Sequence, residues 1–465
     1  MSNQNRMPLV EALQYHEKRD PVSFHVPGHK NGKLLNGQAG EFLQYDVTEL
    51  TGLDDLHAPS EAIREAQELL ADHFQTRKSY FLVNGSTVGN LAMIMGVCKE
   101  GDIVFVQRNC HKSILNGLKL ANVQPVFLHP EFDEETATTT GISQGTLKEA
   151  IGKYAKAKAV ILTYPTYYGM VYDLHSIIEL AHKHGMKVLI DEAHGAHLSN
   201  GEPFPASSLR MGADIVVQSA HKTLPAMTMG SYLHINNDQI DAKRVEEYLG
   251  MLQSSSPSYP IMGSLDYARH FIASYSSEDL YSFLRIRKDF INRLHEAGFE
   301  VIESNDPLKV MIRLRGLSGF QLQDQLENVG IYAELADPHQ VLFILPLLKK
   351  DTSFPFEEVV KKMSGIKASQ AEDTPIVFKK SKSITSLRYS YREMETKTKK
   401  WIAIEDAAGK TAGEMLTPYP PGIPLFYPGE EITEESIAEL RRLWELGAKF
   451  QGEHLLGEGR ISIFE

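Results

Sequence analysis

Short apolar and β-branched runs alternate with longer, helix-like segments between about residues 79 and 235. Seven of these runs have the length and composition of buried strands: SYFLV at 79, DIVFVQ at 102, QPVFL at 124, AVILT at 159, KVLID at 187, DIVVQ at 214 and GSYLHI at 230. Continuous apolar strands separated by helices are typical of a sheet that helices cover on both faces. The pattern therefore predicts an α/β fold with a mainly parallel seven-stranded sheet.

The pattern changes after Pro257. A long helical stretch is predicted over about 261–297, and shorter strands with one more helix follow it, which indicates a smaller α+β domain. The polar segment 367–374 is predicted to be a linker because it has few large apolar residues. We therefore expect an N-terminal arm (1–45), a large ligand-binding domain (46–297) and a small C-terminal domain (298–465).

Length and charge narrow the range of partners. The 465 residues are enough for more than one domain, and the net charge of −12 without a basic block argues against nucleic acid. No run of about 20 apolar residues could span a bilayer, and the first residues lack a signal-peptide pattern. Cys98 and Cys110 are too few for a disulfide framework. We expect a cytoplasmic protein that acts on a small molecule.

Candidate chemistry begins with the segment NGST at 84, where the first predicted strand ends. Gly85 permits a tight turn, and Ser86 and Thr87 stand where a helix is predicted to start. Free backbone N–H groups together with hydroxyls at a helix N-terminus can bind a phosphate. The same residues would also serve as an ordinary helix cap. The other strand ends must decide between these interpretations.

Asp191 ends the run KVLID, and His194 follows three residues later. A buried carboxylate needs a cationic or hydrogen-bonding partner, which the protonated nitrogen of a heterocycle could provide. Capping of the next helix is the alternative for Asp191. No metal is predicted, because Asp191, His194 and His197 do not have a recognised ligand spacing.

Lys222 follows the run DIVVQ, with Ser219 and His221 just before it. A lysine in apolar surroundings can act as a nucleophile toward an aldehyde and form a Schiff base. A phosphate cradle, an acid for a ring nitrogen and such a lysine together indicate a pyridoxal phosphate site.

Nine motifs, in order and nearly end to end, resemble those of the bacterial Orn/Lys/Arg decarboxylases. They are FHVPGHKNG at 24, DVTELTGLDDLHAP at 46, VNGSTVGN at 83, QRNCHKSILNGL at 107, TYPTYYGMVYDL at 163, DEAHGAH at 191, SAHKTLPAMTMGS at 219, MLQSSSPSY at 251 and PYPPGIPLFYPGE at 418. The resemblance implies a fold type I pyridoxal phosphate enzyme that decarboxylates a basic L-amino acid.

The resemblance also implies roles for single residues. Lys222 would bind the cofactor covalently, Asp191 would pair with the pyridine nitrogen, His111 would stack on the ring, and His194 would lie near the phenolic oxygen. The implied phosphate ligands are Gly85, Ser86, Thr87, Ser219 and His221. Ser255 of the partner subunit would complete the phosphate site, so a homodimer or a dimer of dimers with shared active sites is expected.

The substrate's basic side chain should meet a carboxylate, because an unpaired cation binds poorly in a closed pocket. Glu430 is the candidate, with Asp54 and Asp55 behind it, and capping of a nearby helix is the alternative for Glu430. Because FHVPGHK begins at residue 24, we expect no N-terminal wing domain. The compact form resembles arginine decarboxylases of Gram-positive bacteria that supply polyamine synthesis, so we expect arginine as the substrate, with lysine or ornithine next.

Two other functions stay open. The chain could instead catalyse another fold type I reaction, such as transamination or a lyase reaction at Cβ. In an aminotransferase, Arg388 would bind the α-carboxylate of the substrate. A catalytically silent regulator that binds the cofactor is disfavoured, because it has no physical reason to keep Lys222 and Asp191.

Overall fold

The computed structural model describes residues 3–35, 43–369, 383–419, 424–445, 449–451 and 456–465. Its helices are α1 (Pro8–Lys18), α2 (Ala62–Phe74), α3 (Gly85–Val97), α4 (Lys112–Leu120), α5 (Gln144–Lys153), α6 (Leu174–Lys183), α7 (Ala220–Thr223), α8 (Ala242–Leu252), α9 (Tyr259–Ala273), α10 (Ser277–Glu296), α11 (Gly319–Asn328), α12 (Phe356–Met363), α13 (Tyr391–Thr396) and α14 (Glu434–Glu445). Within these ranges, no helix has the length and apolar character of a membrane span.

The strands are β1 (Lys78–Leu82), β2 (Ile103–Gln107), β3 (Gln124–Leu128), β4 (Phe132–Asp133), β5 (Thr138–Thr139), β6 (Ala159–Thr163), β7 (Lys187–Asp191), β8 (Ile215–Gln218), β9 (Ser231–Ile235), β10 (Glu300–Glu303), β11 (Lys309–Arg313), β12 (Leu335–Ala336), β13 (Val341–Ile344), β14 (Ile384–Ser386), β15 (Lys399–Ala403), β16 (Thr411–Ala412), β17 (Thr417–Tyr419), β18 (Lys449–Gln451) and β19 (Arg460–Phe464). All seven strands predicted between residues 79 and 235 are present, as β1, β2, β3, β6, β7, β8 and β9.

The chain forms two compact units, each made of separate stretches. The first contains Met1–Val97, Lys112–Gly117 and Lys187–Ser276, and the second contains Cys98–His111, Leu118–Met186 and Ser277–Glu465. These units do not follow the three parts predicted along the chain, which stay a prediction. Of the predicted linker, residues 370–374 lie outside the described residues.

In the first unit the strand order is β1-β9-β8-β7. Strands β7 and β8 are parallel, with Asp191 opposite Val217, while β9 is antiparallel to β8 and to β1. Three of the four strands therefore run in one direction. Helix α3 lies close against this sheet because Gly89 has no side chain: a Cβ there would lie 2.7 Å from Cδ1 of Leu82 and 2.9 Å from Cγ1 of Val217.

The helical stretch predicted over 261–297 is two helices, α9 and α10, rather than one. Helix α9 ends where the Ser274 backbone N–H donates to the carbonyl oxygens of His270 and Ile272. The Ser274 hydroxyl also donates to the His270 oxygen at 2.7 Å. A serine side chain that bonds to the backbone in this way competes with helical hydrogen bonds, which explains the break.

In the second unit the strand order is β6-β2-β3-β14. Strands β6, β2 and β3 are parallel, and β14 is antiparallel to β3, with Ile384 opposite Leu128. Strand β14 adds to the seven predicted strands. A separate antiparallel sheet, β10-β11-β13-β12, and a three-stranded sheet, β15-β19-β16, account for the smaller α+β part that the sequence predicts.

Candidate active site

Two neighbouring parallel strands, β7 and β8, end at the residues that the sequence analysis singled out. Asp191 is the last residue of β7, and Ser219 follows β8 directly. The short helix α7 then carries His221 and Lys222. Beyond the strand ends the ladder continues, because the Ser219 N–H donates to the Ala193 oxygen at 3.3 Å. The two segments that carry the candidate residues are therefore held side by side.

Lys222 and His194 form the closest pair of candidate catalytic groups. Nζ of Lys222 lies 3.1 Å from Nε2 of His194. The imidazole is buried and the lysine is partly buried. At this distance a proton can pass between the amine and the imidazole.

Asp191 is buried, with 2% of its surface exposed. Its Oδ2 accepts from the Asn90 side-chain amide at 2.9 Å, and its Oδ1 accepts from the Ala193 N–H at 3.2 Å. The Asn90 amide also donates to the Ser113 hydroxyl at 2.9 Å. Among the described residues, both donors to Asp191 are neutral. A buried carboxylate in such surroundings favours a ligand that brings a positive charge.

The predicted phosphate ligands on β1–α3 and on the segment after β8 meet. Oγ of Ser86 lies 2.6 Å from Oγ of Ser219 and 3.1 Å from Oγ of Ser231. Gly85 has φ of +77°, and no atom lies within 4 Å of where its Cβ would stand. The exposed Thr87 begins the same helical turn. Two hydroxyls beside an uncrowded helix N-terminus suit a phosphate group.

His221 is held by the backbone next to these hydroxyls. Its Nδ1 lies 2.9 Å from the Gly230 oxygen, which also accepts from the His221 backbone N–H at 3.2 Å. Burial lowers the pKa of His221, and the nearby charge of Lys222 lowers it further, against the opposing effect of the Gly230 bond. The ring is therefore neutral at pH 7.

The donor set fits pyridoxal phosphate on three counts. In the described part of the chain Asp191 has only neutral donors, and it could accept from a protonated pyridine nitrogen. Ser86, Ser219 and the first turn of α3 offer donors to a phosphate, and Lys222 offers an amine to an aldehyde. Gly85 leaves open space at the helix start, which a larger residue would fill.

Two residues implied by the resemblance are carried by other segments of the chain. His111 is exposed, between β2 and α4 in the second unit. Ser255 is exposed in the segment between α8 and α9, whose start is held to the end of β1 because the Val83 N–H donates to Oε1 of Gln253 at 2.9 Å. The stacking role of His111 and the role of Ser255 in a partner's site stay predictions.

Glu430 has a different environment from the one expected. Its Oε1 accepts from Nη1 of Arg108 at 2.6 Å and from the Thr385 hydroxyl at 2.8 Å. Its Oε2 accepts from Nη2 of Arg108 at 2.9 Å and from the Tyr427 N–H at 2.9 Å. Burial alone would lower the pKa of Arg108, but the charge of Glu430 and its hydrogen bond raise it.

The structure therefore does not support Glu430 as the carboxylate that meets the substrate, because Arg108 already neutralises it and both oxygens have two donors. The alternative of helix capping is not supported either. At the start of α14 it is Thr433 whose hydroxyl accepts from the Ser436 N–H, at 3.2 Å.

Asp54 is also fully engaged. Its two oxygens accept backbone N–H groups of Asp55, Ser60, Glu61, Ile63 and Arg64, at 2.8 to 3.2 Å. Burial would raise the pKa of Asp54, but these bonds hold it below its ordinary value. Asp54 thus caps α2, and of the two aspartates only Asp55 is partly exposed.

Arg388, the candidate for an aminotransferase, is also paired. Its Nη2 lies 3.0 Å from Oε1 of Glu431, and its Nη1 donates to the Gly409 oxygen at 2.9 Å. An arginine with these partners is not a free clamp for an α-carboxylate.

The sequence analysis missed several partners of the site residues. Asn90 holds Asp191, Ser231 holds Ser86, and Arg108 holds Glu430. The sequence pattern does mark Asn90 as a candidate, because it is a polar residue in an apolar helix and lies one turn after Ser86. No comparable local signal marks Ser231 or Arg108.

Comparisons with known proteins agree with the resemblance. The model of the Orn/Lys/Arg decarboxylase major domain matches residues 7–302, and that of the C-terminal domain matches residues 374–453. The chain is 46% identical to the uncharacterized protein YaaO of Bacillus subtilis (strain 168), over 98% of both chains. It is 33% identical to the arginine decarboxylase of the same strain, over 97% of this chain and 96% of that one.

The fold is shared with a solved lysine decarboxylase, LdcF of Francisella novicida. The TM-score is 0.82 at 21% identity, and the match covers 99% of this chain and 81% of that one. This likeness confirms the predicted fold type I architecture. The two family models and the full-length relatives lead to one conclusion: the chain belongs to the Orn/Lys/Arg decarboxylase family.

Proposed function

We propose that this chain is a pyridoxal phosphate-dependent decarboxylase that converts L-arginine to agmatine, which would supply polyamine synthesis. The observation that carries the proposal is the arrangement at the ends of β7 and β8. There a buried Asp191 with neutral donors lies on the strand next to the one that leads to Lys222, whose amine is 3.1 Å from His194. Family membership supports the reaction type.

Arginine is preferred over lysine and ornithine because of the relatives. Proteins named arginine decarboxylase from three Bacillus species and from Halalkalibacterium halodurans are 31 to 33% identical over at least 92% of this chain. The relatives named lysine decarboxylase from Hafnia alvei and Escherichia coli are 23 to 24% identical.

Each residue of the site has a separate task in this proposal. Bound pyridoxal phosphate supplies an aldehyde and a ring that accepts the electron pair of the broken Cα–carboxylate bond. Lys222 would hold the cofactor through that aldehyde. Asp191 would hold the proton on the ring nitrogen, which would keep the ring able to accept electrons.

Ser86, Ser219 and the N–H groups of the first turn of α3 would bind the phosphate. These donors anchor one end of the cofactor, so that the position of the reacting end is set by the protein. His194 lies beside Nζ of Lys222 and would exchange a proton with that amine.

The test of this function is product analysis. The purified protein with pyridoxal phosphate is mixed with equimolar L-arginine, L-lysine and L-ornithine, and the products are identified by mass spectrometry, with Lys222→Ala as the control. Agmatine as the main product is expected. Cadaverine or putrescine would contradict arginine as the substrate. A keto acid product, or no amine while the cofactor stays bound, would contradict decarboxylation.

We also propose a homodimer in which Ser255 of the partner subunit reaches the phosphate. The support is that Ser255 is exposed in this chain and lies in the SSSPSY motif shared with the family. Mixed dimers of Lys222→Ala and Ser255→Ala subunits test it. If the serine acts across the interface, one of the two sites in each mixed dimer keeps both residues, and weak cofactor retention is confined to the other site. A mixed dimer in which neither site retains the cofactor as the wild type does would contradict the shared site.

A further inference from the structure

A second buried carboxylate, Glu192, follows Asp191 directly. Its side chain is fully buried and accepts four hydrogen bonds. Oε1 accepts from the Ser207 hydroxyl at 2.8 Å and from the Gln218 amide at 2.7 Å, while Oε2 accepts from the Ser208 N–H at 2.7 Å and from the Ser208 hydroxyl. Four donors saturate an ionised carboxylate, so Glu192 can act only as an acceptor here.

The hydrogen bonds continue from Glu192 across three strands. Oε1 of Gln218 on β8 lies 3.2 Å from Nε2 of His234 on β9, and Nδ1 of His234 lies 2.7 Å from the Ser79 hydroxyl on β1. The Thr76 hydroxyl lies 2.8 Å from that of Ser79. The chain from Thr76 to Glu192 is buried apart from its first member, and the ring of Phe74 packs 4.6 Å from the His234 ring.

The carboxylate sets the direction of every bond in this chain. Because Gln218 donates its amide N–H to Glu192, its oxygen faces His234 and must accept from Nε2–H. Burial lowers the pKa of His234 to about 3, so the ring is neutral and Nδ1 accepts from Ser79. The chain therefore donates from β1 through β9 and β8 toward the residue after β7.

This chain lies on the opposite face of the sheet from the candidate active site. Side chains alternate between the faces of a strand, so Glu192 points away from the face of Asp191, and Gln218 away from that of Ser219. Asp191 contacts Asn90 of α3 on one face. His234 contacts Phe74 of α2 on the other.

We propose that Glu192 is a positioning residue for the cofactor site, because it joins the ends of β7 and β8 on the face behind Asp191 and Ser219. The side chain of Glu192 accepts a hydrogen bond from Gln218. Glu192 is next to Asp191 in the sequence, and Gln218 is next to Ser219. A change in the spacing between Glu192 and Gln218 would therefore move Asp191 and Ser219. This inference rests on the proposed function, because it concerns the same cofactor.

The packing around Glu192 leaves it no second position. A Cβ on Gly195 would lie 2.4 Å from Cγ of Glu192, so this segment folds over the glutamate only with a glycine there. Burial raises the pKa of Glu192, against the opposing effect of its four donors. Both facts are consistent with a side chain that is fixed in place by its donors rather than by a charged partner.

Glu192→Gln tests the proposal because it keeps the shape and removes the acceptor-only character. The Ser208 N–H cannot reverse, so the new amide must turn its NH₂ toward Ser207 and Gln218. Gln218 then has to flip, and His234 has to change to the Nδ1–H tautomer. We expect the affinity for pyridoxal phosphate, measured by titration of the apoprotein, to fall by about tenfold or more, as when partners that orient ligands are removed.

Asp214→Asn is the matched control. Asp214 is a fully buried carboxylate that joins the same two strands at their other ends, where its Oδ2 accepts from the Val188 N–H at 2.6 Å. We expect this variant to lose stability but to keep the cofactor affinity of the wild type. An equal fall in affinity in both variants, or no fall in Glu192→Gln, would overturn the positioning role. A wild type that binds no cofactor would instead overturn the proposed function along with it.

Two further measurements do not depend on Glu192→Gln folding. Ser207→Ala removes one of the four donors and should weaken cofactor binding by a smaller factor; wild-type affinity would contradict the proposal. In the wild type without cofactor, ¹⁵N NMR of labelled histidine, assigned with His234→Gln, should show His234 as the Nε2–H tautomer. The Nδ1–H tautomer would overturn the direction of the chain.

Discussion

Two buried carboxylates, Asp191 in the first unit and Glu430 in the second, are equally hidden from water but differ in their partners. Asp191 is 2% exposed and, among the described residues, accepts only from neutral groups, whereas Glu430 is 4% exposed and forms a bidentate ion pair with Arg108. The sequence presents both as candidate binding residues. The difference teaches that burial alone does not separate a candidate ligand-binding carboxylate from a structural one, whereas the charge of the partners distinguishes Asp191 from Glu430.

The surroundings of Arg108 strengthen this contrast. Its guanidinium lies 4.8 Å from the ring centre of Tyr427 and 5.9 Å from that of Phe127, and these two rings stack at 4.4 Å. Arg108 follows β2 directly, at the start of the segment 108–111 that carries His111. The Arg108–Glu430 pair thus supports the structure of the second unit, while the described donors to Asp191 carry no charge.

The largest effect is expected for Lys222→Ala. Agmatine formation should fall by roughly 10⁴-fold or more, as when a catalytic nucleophile is removed. The thermal midpoint of unfolding should change little, because the amine is only partly buried. Turnover is measured by mass spectrometry of the product. A value near that of the wild type would show that Lys222 does not take part in the reaction.

Arg108→Met should be the most destabilising of these changes. It leaves the Glu430 carboxylate buried without a charged partner, which costs about 3–5 kcal/mol in the free energy of unfolding. Urea unfolding of the single variant and of Arg108→Met/Glu430→Met tests this. The double variant should recover much of the loss, because no unpaired charge remains. A double variant as unstable as the single one would mean that packing, not charge, explains the loss.

Asp191→Asn, compared with Glu430→Gln, distinguishes the roles of the two carboxylates most clearly. Turnover should fall by roughly 10² to 10³-fold, because the ring nitrogen loses the charge that keeps it protonated. Stability should not fall, since a buried charge with neutral donors has been removed. Glu430→Gln should show the reverse, with lower stability and an unchanged KM. A raised KM in Glu430→Gln at unchanged stability would restore Glu430 as a substrate ligand.

Ser86→Ala should have the smallest effect. One phosphate donor is lost, which corresponds to about a five- to tenfold weaker affinity for pyridoxal phosphate. Ser364→Ala, which removes a hydroxyl that bonds to the Lys361 oxygen at the end of α12, is the control and should leave the affinity unchanged. Equal affinities of the two variants would show that Ser86 only caps α3.

The sequence predicted the strands that carry the candidate site, because those strands depend on local patterns. Runs of buried β-branched residues give β7 and β8, and their ends give Asp191, Ser219 and Lys222 without any long-range information. The pairing of Glu430 with Arg108 was not predicted because the two residues are 322 apart in the sequence, where no local pattern connects them. Strand β14 was not predicted because a strand of three residues is too short to show alternation.

The central claim is that Lys222 is the residue that binds the cofactor. Reduction of the protein with borohydride after addition of pyridoxal phosphate, followed by mass mapping of the peptides, tests it most directly. The account predicts a single phosphopyridoxyl modification on Lys222, which is absent in Lys222→Ala. A modification on another lysine, or none while the cofactor is retained, would contradict it.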